Sequence, residues 1–329
     1  MKCNKDNAIA CFLSFLLIIA LVTLGLKTFT LWGQVTDIWE GHNLLWSDVL
    51  IHPHGPRYAL VFPIFTLSKL IGTDYNIVFS YSCVILITLT ISLNISISRK
   101  ILSRRLTFPE LCIIPIFYLS LASLMNGRIL FAIAGSSLFF FSIINEKKGV
   151  YTIFHLTIAI IFCSVSSGTL SIMVIWMVVC ILWGKNENHS YTIIKMALLG
   201  VFFLIFGNFL AIVTKKNIDY YGGGLEGAFN MLNHGIGKIA FIDEAISFSL
   251  YIIFFSVAII VLSNITLLSQ VRIKKHSAKL YFLFAIGLSG GLFGFSTLAV
   301  SIPPLIAILT QHYGETLASQ HTHHLERES

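Results

Sequence analysis

The chain has 329 residues, of which 56% are hydrophobic and only 11% are charged, and its mean hydropathy is +0.84. Soluble proteins carry about 25% charged residues, so this composition excludes a soluble enzyme domain, a nucleic-acid-binding module and a disulfide scaffold as the main architecture. The net charge of +7 lies mostly in a few short loops, where it indicates membrane orientation rather than an anion-binding surface. The sequence therefore predicts an all-α, polytopic integral membrane protein.

Apolar stretches long enough for membrane helices recur along the whole chain. A bilayer core takes about 20 apolar residues per helix. The first stretch follows Lys2 and Lys5 and is longer than a signal-peptide core, so we expect a retained helix. The predicted spans are approximately 8–32, 76–97, 110–125, 129–145, 151–166, 169–183, 192–213, 246–268, 279–297 and 298–311.

The segment 58–71 is ambiguous, because it is short for a span and contains Pro63 and Lys69. If it does not cross, and the N-terminus is cytoplasmic, the basic loop 99–105 and the later basic loops fall inside, as the positive-inside rule requires. Counting it as a span inverts all of those loops. We therefore expect an external juxtamembrane or re-entrant segment.

The resulting topology is one transmembrane domain, residues 1–313, with about ten helices. Its main external loops are 33–75 and 214–245, and a polar, flexible tail follows at 314–329. The cysteines lie in apolar runs or at the N-terminus, and nothing pre-organises the histidines of the tail, so no metal site is predicted.

The first external loop carries two acids, Asp37 and Glu40, three residues apart. A helix places such a pair on one face. Either acid can serve as a general base or hold a cation. The alternative is that both are loop charges beside a belt of interfacial aromatic residues, of which Trp39 is one.

Two histidines and an arginine follow in the same loop. His52 and His54 are a poor metal pair at this spacing, and they are the second choice for a general base. Arg57 either grips a substrate phosphate or extends to lipid phosphate at the membrane surface.

Arg128 is the sharpest single signal in the sequence. It follows Asn126 and Gly127 at the turn between two predicted helices, on the face where the positive-inside rule disfavours arginine. A membrane-edge arginine is costly and is a functional hypothesis by default. Its planar guanidinium matches phosphate oxygens at the level of a lipid headgroup. The alternative is a topological anchor or a structural ion pair.

The second long loop combines cationic, aromatic and glycine residues. Lys215 and Lys216 lie outside in the predicted topology, which indicates an anionic external ligand. Tyr220 and Tyr221 offer aromatic faces for stacking on sugar rings, and the glycines at 222–224 predict a mobile hinge. The glycines do not form a P-loop, which needs a terminal Lys-Ser or Lys-Thr pair.

Over residues 30–185 this pattern resembles the exopolysaccharide and O-antigen polymerases of bacterial inner membranes (Wzy-type, EpsG-like branch). The likeness lies in an external acidic and aromatic segment, a helix leading to a basic loop, and an external arginine that opens a helix, here in 126–132. The first loop also resembles the GT-C membrane glycosyltransferases. In that group an acid just after the first helix, here Asp37, serves as base or metal ligand, and a proline-containing juxtamembrane helix follows.

The resemblance implies a glycosyltransferase that polymerises polyprenyl-diphosphate-linked repeat units on the external face without a soluble cofactor. Its partners are then the lipid-linked glycan, membrane lipids and a chain-length regulator or flippase, with no nucleic acid. The residues expected to bind the diphosphate are Arg128, Arg57, Lys215 and Lys216. The candidates for the base are Asp37, Glu40, His52 and His54, and those for sugar stacking are Trp39, Tyr220 and Tyr221.

Two other functions stay open at this point. One is a GT-C enzyme that transfers a single sugar from a polyprenyl monophosphate, for which a divalent cation near Asp37 would be expected. The other is a flippase or transporter of lipid-linked sugars, although the sequence has no visible half repeat and its spans are almost free of charge.

Overall fold

The computed structural model describes residues 5–41, 54–144, 150–182, 275–289 and 295–310, with part of 211–230. Every regular element in these residues is a helix, which confirms the all-α prediction. The helices are α1 (Lys5–Thr23), α2 (Gly33–Glu40), α3 (Gly55–Ile71), α4 (Tyr75–Leu102), α5 (Phe108–Leu124), α6 (Gly127–Ile144), α7 (Val150–Cys163), α8 (Ser167–Leu182), α9 (Lys275–Ser289) and α10 (Phe295–Ala299).

Five predicted spans coincide with α4 to α8, each within a few residues at either end. The last predicted span corresponds to a helical stretch at 302–310, which opens with the proline pair expected in a first helical turn. The span predicted at 279–297 corresponds to α9 and α10. The predicted spans 192–213 and 246–268 and the tail 314–329 lie outside the described residues.

Two of the described helices, α4 and α6, are long and apolar enough to cross a bilayer by length and composition. The apolar parts of α1, α5, α7 and α8 have 10–17 residues, as does a stretch at Thr297–Thr310. The count of about ten spans therefore remains a prediction.

The first helix ends earlier than predicted, at Thr23, and the chain then turns at Gly25 and runs without regular structure beside the start of α4. The Phe29 amide donates to Ser80 Oγ at 3.0 Å, and the Ser80 hydroxyl donates back to the Phe29 carbonyl at 3.1 Å. The Leu31 amide donates to Asn76 Oδ1 at 2.9 Å. These side chains of α4 satisfy backbone groups that a helix would have paired internally. We call residues 24–32 the strap.

The segment predicted to be juxtamembrane or re-entrant forms α3, a helix of 17 residues and about 25 Å. It contains Pro63 and ends at Gly72, which adopts a left-handed φ of 69° that favours glycine. The Asp74 carboxylate then accepts the Asn76 amide at 2.6 Å and so caps the start of α4. α3 packs on α2 and on α4.

The chain divides into two compact units, one of residues 1–165 with 302–329 and one of residues 166–301. In the first unit, α4 packs against α1, α5 and α6, and α6 packs against α7. Small residues allow the α6–α7 approach, because a Cβ on Gly135 would lie 2.7 Å from Cys163 Sγ and 2.9 Å from the Ala159 carbonyl oxygen.

A buried amide joins α4 to α6. Asn94 is fully buried, and its Nδ2 donates to the Thr90 carbonyl at 2.8 Å and to Ser137 Oγ at 2.9 Å. Hydrogen bonds of this kind between apolar helices stabilise a membrane bundle by about 0.6 kcal/mol on average. The pair also fixes the register of the two helices.

The second unit has its own aromatic centre. Trp176 of α8 is fully buried, and its indole N–H donates to the Leu283 carbonyl of α9 at 2.8 Å. Gly287 lies against the same indole, since a Cβ there would come within 2.9 Å of the ring. This contact holds α8 and α9 in close packing.

We expect Gly135→Ala to lower the free energy of unfolding by about 1–3 kcal/mol, the usual cost of overpacking a close contact. The added methyl must push α6 from the α7 backbone. Gly33→Ala is the matched control, because a Cβ at Gly33 meets nothing within 4 Å. Thermal unfolding in detergent measures both variants, and equal midpoints would contradict the packing described.

Candidate functional site

Three segments of the first unit meet at one end of the helices: the strap, the start of α4, and the turn between α5 and α6. Lys27 Nζ donates to the carbonyls of Ser123 at 2.7 Å and Met125 at 3.2 Å. The strap is also hydrogen-bonded to the first two turns of α4, as described above. We call this the Arg128 end.

The basic loop lies at the opposite end of α4. Lys100 Nζ lies 5.9 Å from the centre of the Phe141 ring, near the end of α6. Arg104 donates two hydrogen bonds of 2.6 and 2.8 Å to the Glu110 carboxylate, which also accepts the Thr107 amide at 2.6 Å and caps the start of α5. We call this the Arg104 end. The basic loop and the turn that carries Arg128 therefore lie at opposite ends of α4.

The turn that carries Arg128 is fixed on both sides. A Cβ on Gly127 would overlap the Phe79 ring and lie 3.0 Å from Cys83 Sγ, so the start of α6 lies directly against α4. Asn126 Oδ1 accepts the Ile129 amide at 3.2 Å and caps α6. Arg128 therefore projects from a first turn of α6 whose position is fixed. The residue is half-buried, and its Nε atom is buried.

Lys27 is a cation at the same turn that the sequence reasoning did not select. Its ammonium lies 5.0 Å from the Phe29 ring centre and next to the last carbonyls of α5, where the helix dipole favours positive charge. Partial burial lowers the pKa of Lys27, which lies beyond the end of α1. The available signal was a lysine interrupting the apolar stretch of the strap.

Both acids of the first loop lie exposed on α2, so the segment that carries them is a helix. The two differ in their surroundings, because the Tyr75 hydroxyl donates to Glu40 Oε1 at 3.1 Å. The backbone carbonyl of Asp37 accepts the Gly41 amide at 3.0 Å and closes the helix. The Tyr75 contact, which sequence spacing cannot reveal, thus orients one of the two carboxylates.

The Glu40–Tyr75 pair belongs to an aromatic cluster, which consists of Trp39, Phe65 and Tyr75. The Trp39 and Phe65 rings stack with centroids 4.9 Å apart and an interplanar angle of 11°. Tyr75 meets Phe65 edge-on at 5.3 Å. Trp39 is half-buried, and one face of its indole packs on the Phe65 ring.

Arg57 ties α3 to α2. Its Nη1 atom donates to Gln34 Oε1 at 2.6 Å and lies 3.1 Å from Nδ1 of His54, the residue that precedes α3. The contacts described for Arg57 and His54 are thus with each other and with α2. His52 lies outside the described residues.

The candidates of the second long loop belong to the second unit. Lys215 is exposed and Tyr221 is half-buried, whereas Lys216 and Tyr220 lie outside the described residues. The glycines at 222–224 adopt φ angles of 116°, 76° and 57°, so this turn requires glycine for its backbone conformation. A helical stretch follows at 224–230.

No metal centre is found in the described part of the chain, where no three His, Cys, Asp or Glu side chains are grouped to hold an ion. Comparison with known proteins adds no relative: no family model, no curated protein and no solved structure matches the chain. The residues of the Arg128 end themselves are therefore the basis for assigning its chemistry.

If the Arg128 end faces outside and the Arg104 end faces the cytoplasm, cysteines at the two ends should label differently. Cysteines introduced at Gly41 and Asn126, both exposed at the Arg128 end, should react with a membrane-impermeant maleimide added outside whole cells. A cysteine at Ser103, exposed at the Arg104 end, should react only after the membrane is permeabilised. The unsubstituted protein gives the background from the native cysteines. Labelling of Gly41→Cys and Ser103→Cys from the same side would contradict the arrangement.

Proposed function

We propose that the chain is an integral-membrane glycosyltransferase that polymerises polyprenyl-diphosphate-linked oligosaccharide repeat units on the external face of a bacterial inner membrane. In this proposal about ten helices cross the bilayer and the N-terminus is cytoplasmic. The observation that supports it most is the placement of Arg128, Asp37 and Glu40 at one end of a helical unit whose other end carries the basic loop 99–105.

The reaction assigns a role to each charge at the Arg128 end. The oxygen of an acceptor hydroxyl bonds to the anomeric carbon of the donor sugar, the bond from that carbon to the diphosphate oxygen breaks, and the hydroxyl proton passes to a carboxylate. Arg128 stabilises the charge that develops on the leaving diphosphate. Asp37 or Glu40 takes the proton, and the reaction needs no soluble cofactor.

The remaining candidates support this site in different ways. Arg57, held by Gln34, places α3 against the helix that carries both acids. Trp39 presents an indole beside Glu40 for the face of a pyranose ring. The lipid-linked glycan is the substrate, and a chain-length regulator or a flippase is the expected protein partner.

Arg128→Ala should abolish high-molecular-weight glycan at a normal protein level, because the leaving diphosphate loses its electrostatic stabilisation. Arg128→Lys should restore the product poorly, since lysine keeps the charge but loses the bidentate fork. The glycan ladder of a complemented deletion strain measures both. A normal ladder in Arg128→Ala would leave only an anchoring role, and loss of repeat-unit export would favour a flippase instead.

Glu40→Gln should leave at most a few per cent of polymerisation if Glu40 is the base, since a general base contributes about 100- to 10,000-fold. Asp37→Asn tests the other candidate by the same ladder. Asp74→Asn is the matched control, because it removes an exposed acid at the same end while asparagine still caps α4. A normal ladder in the Asp37, Glu40 double variant would place the base elsewhere, with His52 and His54 next.

A further inference from the structure

Lys27 lies where α5 ends. The last four carbonyls of a helix have no partner within that helix. Lys27 Nζ donates to one of them, the Ser123 carbonyl, at 2.7 Å, and at 3.2 Å to the carbonyl of Met125, the residue that follows α5. A lysine is favoured at this place, because its charge also compensates the negative end of the helix dipole. One side chain of the strap therefore closes α5.

The part of the strap that carries Lys27 is itself bound to α4. Two residues after Lys27, the Phe29 amide donates to Ser80 Oγ at 3.0 Å, and both of these residues are buried. The Lys27 ammonium lies 5.0 Å from the centre of the Phe29 ring. Lys27 thus connects the end of α5 to α4 through an anchored segment that is 96 to 98 positions away in the chain.

The turn after α5 leads directly to Arg128. Only Asn126 and Gly127 separate Met125 from Arg128, and Asn126 caps α6 while Gly127 lies directly against α4. Two intervening residues are too short a link to absorb a displacement of Met125. Arg128 is half-buried and its Nε atom is buried, so a shift of the turn also moves the guanidinium.

We propose that Lys27 is a positioning residue of the diphosphate site: by binding the end of α5 to the strap, it sets the place from which the Arg128 guanidinium meets the leaving diphosphate. This inference rests on the proposed function, in which Arg128 stabilises that group. The role of Lys27 is exerted through the turn and requires no contact with the substrate. A misplacement of about 1 Å can cost an enzyme about 100-fold in rate, so a tie of this kind affects the reaction from outside the reacting atoms.

The test is a double-mutant cycle of Lys27 and Arg128, measured as the binding of farnesyl diphosphate to the purified full-length protein in detergent. Lys27→Met removes the charge and every N–H donor of the side chain. With Arg128 present, it should weaken binding about 10-fold, because a displaced guanidinium forms fewer charge-assisted hydrogen bonds with the diphosphate. In the Arg128→Ala background, it should change binding no more than Lys69→Met, the matched control, which removes an exposed lysine from the last turn of α3.

The cycle separates the two levels of inference. Equal losses in both backgrounds would overturn the positioning role, because Lys27 would then act independently of Arg128, and unchanged binding in both would overturn it as well. In either case weak binding by Arg128→Ala would leave the proposed function in place. If Arg128→Ala itself binds the diphosphate normally, the diphosphate role of Arg128 in the proposed function fails.

A second measurement follows the turn without any ligand. The Ile129 amide donates to Asn126 Oδ1 at 3.2 Å, and hydrogen exchange of the peptide that contains this amide should be several-fold faster in Lys27→Met and unchanged in Lys69→Met. Unchanged exchange in Lys27→Met would contradict the positioning role. If Lys27→Met does not fold, Lys27→Gln takes its place in both measurements with the same expected outcomes, since its shorter side chain is neutral but keeps N–H donors.

Discussion

The close contact between Gly127 and Phe79 is the constraint on which the Arg128 end depends. Because Gly127 has no side chain, the first turn of α6 lies flat on α4, and the Phe79 ring stays available to Trp32, whose ring meets it edge-on at 6.1 Å. One phenyl ring therefore connects α4 with the residue before α2 and with the residue before Arg128. Any larger residue at 127 would push α6 away from the Phe79 ring and so displace Arg128 from α4, although it changes no charge.

The strap connects the start of α4 to α2, the helix that carries the two acids. The amides of Phe29 and Leu31 in the strap are bound by side chains of α4 rather than by carbonyls of a helix. α2 begins directly after the strap at Gly33, so the position of Glu40 depends on where the strap is bound. The hydroxyl of Tyr75, on the first turn of α4, then holds the Glu40 carboxylate.

The sequence predicted the helices better than the contacts between them. Hydropathy located α4 to α8 within a few residues, because length and apolar composition are properties of a single segment. It extended the first span to residue 32, since hydropathy cannot distinguish an apolar strap from a continuing helix. Charge asymmetry predicted Arg128 and the acids at one end. Lys27 and Tyr75, in contrast, contact partners that lie 98 and 35 positions away in the chain, and no local pattern encodes such contacts.

In the proposed reaction, the surroundings of the two acids favour one of them as the base. A base acts well only when its carboxylate is held at hydrogen-bond distance from the proton it takes, and ordering an exposed side chain costs conformational entropy. Glu40 has part of that order already, through Tyr75 and the stacked rings of Trp39 and Phe65 beside it. Asp37 is exposed on the same helix, and its backbone carbonyl, not its carboxylate, accepts the hydrogen bond that closes α2. The packing therefore favours Glu40 over Asp37 as the proposed base, a preference that the spacing of the two residues alone could not supply.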